Sequence, residues 1–195
     1  MFLSKLQPNL RNNGARRDLA NPYEMHRTLA RAVQTEEDRL LWRVEEAERP
    51  TLLVQTLSEP DWTFLESSYL RCPPNTKPVH LTFSEGQTLR FRLRANPTLR
   101  RAGTGKRQAL YDIGEQHGWL KRKGEASGFH VLGAMAHRQE RLQAKRQDKT
   151  VTLFAVTFDG DLQVVNPERF RAALGTGIGS AKGFGMGLLS LAPDA

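Results

Sequence analysis

A tyrosine, a histidine and an arginine stand close together near the start of the chain, at Tyr23, His26 and Arg27 of the stretch NPYEMHRTLARA. Histidine, with an ordinary pKa of about 6.5, can give or take a proton at neutral pH. Tyrosine, at about 10, is a poor base and is better suited to orienting a hydroxyl or a phosphate. Arginine can neutralise the charge that builds on a phosphorane-like transition state. Together the three suit cleavage of RNA by its neighbouring 2′-OH, which needs neither a metal nor an activated water. Packing and simple RNA contact are the two other uses of the same side chains.

The local sequence predicts a helix that would present them. Asn21 is a helix cap, Pro22 suits the first helical position, and Glu24 sits where a capping-box acid belongs. With Met25 at the centre of the buried face, Leu29, Ala32 and Val33 complete the core stripe at helical spacing. His26 then falls at the edge of the apolar face, with Tyr23 and Arg27 on its outward side. The unpaired N–H groups of a helix start are a natural place for a phosphate.

A second cluster lies at the far end. GTGIGSAKGFGMG, residues 175–187, holds six glycines. Lys182 stands between Ala181 and Gly183, so the loop lacks the Gly-Lys-Ser/Thr of a nucleotide-binding P-loop, and it leads into a strand where a dinucleotide fingerprint would open a helix. Backbone carrying such a conformational-entropy cost is suited to close approach to a phosphate chain. Gly177, Gly179, Ser180, Lys182 and Gly183 are its candidate RNA contacts.

Charge agrees with a polyanionic partner. The chain has 195 residues, a net charge of +8 and a pI of about 10.1. From Glu85 to Lys149 there are 15 Lys/Arg against 6 Asp/Glu, whereas the remainder holds 14 against 15. Within that segment Arg90, Arg92 and Arg94 alternate with Leu89, Phe91 and Leu93, as in a half-buried strand. Arg100 and Arg101 follow. HRQERLQAKRQDK then places Arg138, Arg141, Lys145, Arg146 and Lys149 between two strands, a basic hairpin shaped for the wide groove or phosphates of an RNA helix.

Other classes fit poorly. No run approaches the roughly 18 apolar residues of a spanning helix, so no membrane role is expected. Met1 opens no signal peptide, and the single Cys72 suits a reducing cytoplasm. The five histidines share no metal-ligand spacing with each other or with Cys72, so no metal or other cofactor is expected.

FLSKL is predicted as a strand, followed by a loop over QPNLRNNGARRDLA and the Asn21 helix. LWRVEE and TLLVQTL form a hairpin, DWTFLESSYL a short helix and VHLTF a closing strand. The second half offers TLRFRLRAN as a strand and KRQALYDIGEQHGWLKRKG as a helix. Two strands follow, with an Asp-Gly turn at 159–160, and then the helix NPERFRAAL and the strand GMGLLSLA. Strand, helix, two strands, helix, strand occurs twice. The expectation is an α+β chain of two tandem ferredoxin-like domains, residues 1–84 with the histidine helix and residues 85–195 with the basic hairpin and glycine loop.

ARRDLANPYEMHRTL, LRFRLRANPT and GIGSAKGFGMGLLSL closely resemble the CasE endoribonucleases of type I-E CRISPR systems, also called Cse3. The resemblance runs along essentially the whole chain. It implies two ferredoxin-like domains that bind the stem-loop of the CRISPR repeat in precursor RNA. It also implies metal-independent cutting at the 3′ base of the stem, leaving a 2′,3′-cyclic phosphate and a 5′-OH. Family members tend to keep their product and join the surveillance complex Cascade; the isolated protein is expected to be a monomer. By position, His26 matches the catalytic histidine and Tyr23 the active-site tyrosine, with Arg27 adjacent. His26 would be the acid for the leaving 5′-oxygen or the base for the 2′-OH, Tyr23 would position or activate that hydroxyl, and Arg27 would hold the scissile phosphate. The rival reading is a non-catalytic RNA-binding scaffold, which would need no Tyr23/His26 pair. A DNA-binding regulator ranks last, since no helix-turn-helix pattern is present.

Overall fold

A computed structural model describes residues 1–33, 38–45, 49–100, 103, 105, 107–146 and 149–193. By contacts the chain divides into two units. The first comprises Met1–His80 with Gln143–Val151 and Lys182–Gly185, and the second the intervening and terminal segments.

In the first unit β1 (Phe2–Leu6) leads to two helices, α1 (Asn13–Ala20) and α2 (Pro22–Ala30), then to β2 (Leu41–Glu45), β3 (Thr51–Thr56) and β4 (Asn75–Pro78). The sheet order is β2-β3-β1-β4, with β1 antiparallel to both neighbours. Leu6, Met25, Leu29, Ala32, Trp42, Leu52 and Val54 form the core, so α2 buries the stripe its spacing predicts.

Three expectations are corrected here. The predicted loop contains α1, whose start Asn12 caps by accepting from Ala15 N at 2.9 Å. DWTFLESSYL is a series of turns: the Asp61 carboxylate takes the Thr63 N–H at 2.8 Å, and Leu65 and Tyr69 donate to residues three back. Trp62 and Tyr69 are buried and hydrogen-bonded sideways, to Ser4 and Thr76 and to Asp18, and these anchors outweigh helix propensity. The closing strand ends at Pro78, before VHLTF, because Leu81 and Phe83 pack against the second core.

The second unit is built on β5 (Thr88–Ala95), α3 (Ile113–Ala126), β8 (Phe129–Arg146) and β9 (Lys149–Val164) apart from their residues within Gln143–Val151, α4 (Pro167–Thr176) and β10 (Leu189–Pro193). A small hairpin of β6 (Thr98–Arg100) and β7 (Arg107–Ala109) stands where the predicted helix was to begin. The helix starts later, at the Asp112 cap. The order β10-β5-β9-β8 repeats that of the first sheet, with the fourth strand beside the first and the third beside the second. The fold is thus α+β with two ferredoxin-like units. Asp159-Gly160 makes no turn. β9 runs straight through it, and a Cβ on Gly160 would stand 2.1 Å from the Gly133 carbonyl oxygen, so glycine serves a close strand approach.

Candidate functional site

α2 begins as its sequence predicts. Asn21 Oδ1 accepts from Tyr23 N at 3.2 Å and Pro22 opens the helix. Thr28 Oγ1 donates to the wholly buried Asp18 carboxylate at 2.6 Å; Tyr69 donates to the same oxygen at 2.8 Å and Arg17 pairs with the other. This network binds α1 to α2. Burial, with the Asp18 hydrogen bond, pushes the Tyr69 hydroxyl pKa well above its ordinary value, so this tyrosine stays protonated.

His26 is half-buried at the edge of the helix's apolar face. Burial lowers its pKa from 6.5, which favours the neutral ring. Its buried Nδ1 has no hydrogen-bond partner among the described residues. Against the ring stands the glycine loop, which forms a 3-10 turn over Lys182–Phe184. A Cβ on Gly183 would come within 3.3 Å of His26 Cδ2 and 3.4 Å of Nε2. Gly185, at φ +78°, lies so close over Trp42 that a Cβ would be 2.9 Å from the indole. These contacts account for glycine at both positions by protein packing, alongside any contact with RNA.

Tyr23 lies one turn before His26 on the same helix. Arg27 is two-thirds exposed and pairs with Glu24 at 3.2 Å, an arrangement worth little in water and easily exchanged for another anion. The structure therefore brings Tyr23, His26, Lys182 and Gly183 into one unit, together with the backbone of Lys145, although 156 positions separate His26 from Lys182 in the sequence.

The other candidate residues are distributed differently. Arg90, Arg92, Arg94, Arg100, Arg138, Arg141, Gly177, Gly179 and Ser180 belong to the second unit. Arg90 and Arg92 face outward from β5, as alternation predicts, but Arg92 grips Asp159 with two 2.7 Å bonds. That bond, aided by His137, holds the Asp159 carboxyl below its usual range. Arg94 and Arg138 both pair with Glu140. Arg141 stands 5.5 Å over the Tyr111 ring. Gly177, at φ +78°, ends α4, and Gly179 approaches Trp119. Arg101 lies outside the described residues, as do the side chains of Arg146 and Lys149.

Sequence reasoning missed the Asp18 network, the Trp42 seat and a second role for Asn21. Only α1 left a usable signal, in the cap at Asn12 and the spacing of Ala15, Asp18 and Leu19. Among the described residues no three His, Cys, Asp or Glu side chains gather as metal ligands would, and no helix is long and apolar enough to cross a membrane.

Along its length the chain is similar to known proteins. A family model described as CRISPR associated protein matches residues 1–193. The CRISPR-associated endoribonuclease Cse3 of Thermus thermophilus is 45% identical over 212 aligned positions, covering 99% of this chain and all of that one. The Cascade subunit CasE of Escherichia coli is 34% identical over 130 positions, covering 60% of this chain and 64% of its own. The structure of Thermus thermophilus Cse3 bound to an RNA representing a pre-cleavage complex matches with a TM-score of 0.92 at 47% identity, covering 98% of both chains. The chain belongs to the CRISPR-associated protein family of Cse3 and CasE.

Proposed function

We propose that this protein is a CRISPR endoribonuclease that binds the repeat stem-loop of precursor CRISPR RNA and cuts at the 3′ base of the stem. The observation that carries the reading is the half-buried His26 on α2, whose Nδ1 has no hydrogen-bond partner among the described residues and whose ring meets the Lys182–Phe184 turn, in a chain similar along its full length to Cse3. The 2′-oxygen attacks the adjacent phosphorus and its proton passes to a base. The P–O5′ bond breaks and the 5′-oxygen takes a proton, leaving a 2′,3′-cyclic phosphate and a 5′-OH, with no metal required.

His26 serves one of the two proton transfers, and its neutral resting form suits accepting a proton from the 2′-OH. A phosphate drawn beside it would favour the charged form and the acid role. Tyr23 orients the nucleophile, and Arg27 exchanges Glu24 for the scissile phosphate. Lys145 and Lys182 supply positive charge in the same unit. The second unit's arginines, with Arg146 and Lys149, extend the RNA-binding surface. A relative named as a Cascade subunit supports assembly into Cascade; the protein keeps its product there, in the cytoplasm where the transcript is made.

The test is cleavage of the host repeat RNA in EDTA, beside a substrate with one 2′-deoxy at the scissile position. Cutting of the first alone is expected. Cutting of both would replace the nucleophile, and tight binding without cutting of either would make the protein a scaffold.

A further inference from the structure

The side chain of Asn21 does more than cap a helix. Its Oδ1 accepts from Tyr23 N at 3.2 Å and from Lys145 N at 3.3 Å, and its Nδ2 donates to Lys145 O at 3.0 Å. The primary amide thus pairs with both the N–H and the C=O of one residue of β8, as a peptide group would in one rung of a β ladder. β8 is the last strand of its sheet order, and an edge strand presents such groups unpaired. The backbone N–H of Asn21 meanwhile donates to Arg17 O at 3.1 Å and to Asp18 O at 3.3 Å, closing α1. One residue therefore ends α1, starts α2 and holds the basic segment Gln143–Val151, all within the first unit.

A cap needs only one accepting oxygen, which serine, threonine or aspartate provides equally. The Lys145 rung needs a donor and an acceptor on two adjacent atoms, Nδ2 and Oδ1, which the single hydroxyl oxygen of serine or threonine and the acceptor-only carboxylate of aspartate lack. We infer that Asn21 is a positioning residue for cleavage, registering Tyr23 and His26 against the RNA-binding segment at Lys145. The inference rests on the cleavage reading above. RNA engaged through that segment is held to the backbone that orients the first turn of α2. Misplacement of reacting groups by about 1 Å can cost about a hundredfold in rate while leaving affinity intact.

The experiment compares wild type with Asn21→Ser, which keeps the cap and loses the rung. It also uses Asn21→Asp, which keeps an oxygen to accept from Tyr23 N and Lys145 N but turns a second carboxylate oxygen toward the Lys145 carbonyl. Single-turnover cleavage at saturating protein is measured beside affinity for repeat RNA with a 2′-deoxy at the scissile position, and each variant's melting temperature is recorded. Both variants are expected to bind within about twofold of wild type and to cleave at least about tenfold more slowly. A wild-type rate in Asn21→Ser would overturn the inference. So would a rate loss matched by lost affinity, or melting of both variants below the assay temperature, since the residue would then serve binding or folding alone. A wild-type protein that binds without cutting would sink the cleavage reading instead, which keeps the two failures distinct.

Discussion

Two helices of this protein start on the same dipeptide and come to different ends. α2 opens on Asn21-Pro22 and α4 on Asn166-Pro167, with nearly identical cap backbones, at φ −135°, ψ 106° and φ −133°, ψ 102°. Each asparagine oxygen accepts a helix N–H, from Tyr23 at 3.2 Å and from Arg169 at 2.9 Å. Asn21 also pairs with Lys145, whereas among the described residues the Asn166 side chain makes no further hydrogen bond. α4 is bound through its backbone instead. Asn166 N donates to Gly128 O at 2.9 Å, and a Cβ on Gly128 would stand 2.6 Å from Asn166 O. It buries Phe170 and Leu174, with Phe170 edge-on to Phe83 and Phe129. α2 buries Met25 and Leu29 and leaves Tyr23, His26 and Arg27 partly or largely accessible. One start signal thus serves a helix to which we assign the chemistry and a helix that packs into its unit's core; the residues of the first turns and the partner met by the cap amide separate them.

Mutations should divide along that line. His26→Ala should slow single-turnover cleavage by about 10²–10⁴-fold while repeat-RNA affinity holds; a variant that cuts normally would place the chemistry elsewhere. Phe170→Ala should do the reverse, costing about 3–5 kcal/mol in denaturant unfolding with little change in rate per folded molecule. A large rate loss at unchanged stability would give α4 a catalytic share. Gly185→Ala, forced to φ +78° against Trp42, should cost about 1–3 kcal/mol on the same assay. Asn166→Ala should cost about 0.5–2 kcal/mol of stability without touching cleavage, in contrast to the rate loss expected at Asn21.

The smallest effect is a pH slope. Burial lowers the folded pKa of His26 below 6.5, so the unfolded chain binds that proton more tightly. Stability from the neutral ring is complete above about 6.5 and is lost as pH falls through the lower folded value. Unfolding titrations across that range should show a shallower decline in His26→Ala, and an unchanged slope would remove the burial argument. The pH–rate profile assigns the role: a rate that rises to a plateau marks His26 as base, and one that falls marks it as acid.

Much of α2 was legible because cap, proline, acid and apolar spacing all act within two turns. The strict alternation of β5 was legible for the same reason, since Leu89, Phe91 and Leu93 bury together. DWTFLESSYL misled because its helical propensity is local whereas Trp62 and Tyr69 are held by Ser4, Thr76 and Asp18, distant in sequence. Asp159-Gly160 misled because a glycine can serve a close approach as readily as a turn, and only the carbonyl of Gly133 shows which. The arginines of β5 read as free positive charge, yet the carboxylates of Asp159 and Glu140 partly compensate Arg92 and Arg94.

By itself the sequence determined the α+β character, the main strand and helix order of the second half and the residue types at the start of α2, because each depends on neighbours within a few positions. The tertiary structure alone decided that the turn around Gly183 lies against His26, that Trp42 seats Gly185 and that Lys145 meets Asn21. Those contacts join segments more than a hundred positions apart, and no periodicity or cap signal encodes which distant backbone will satisfy an amide or crowd a ring.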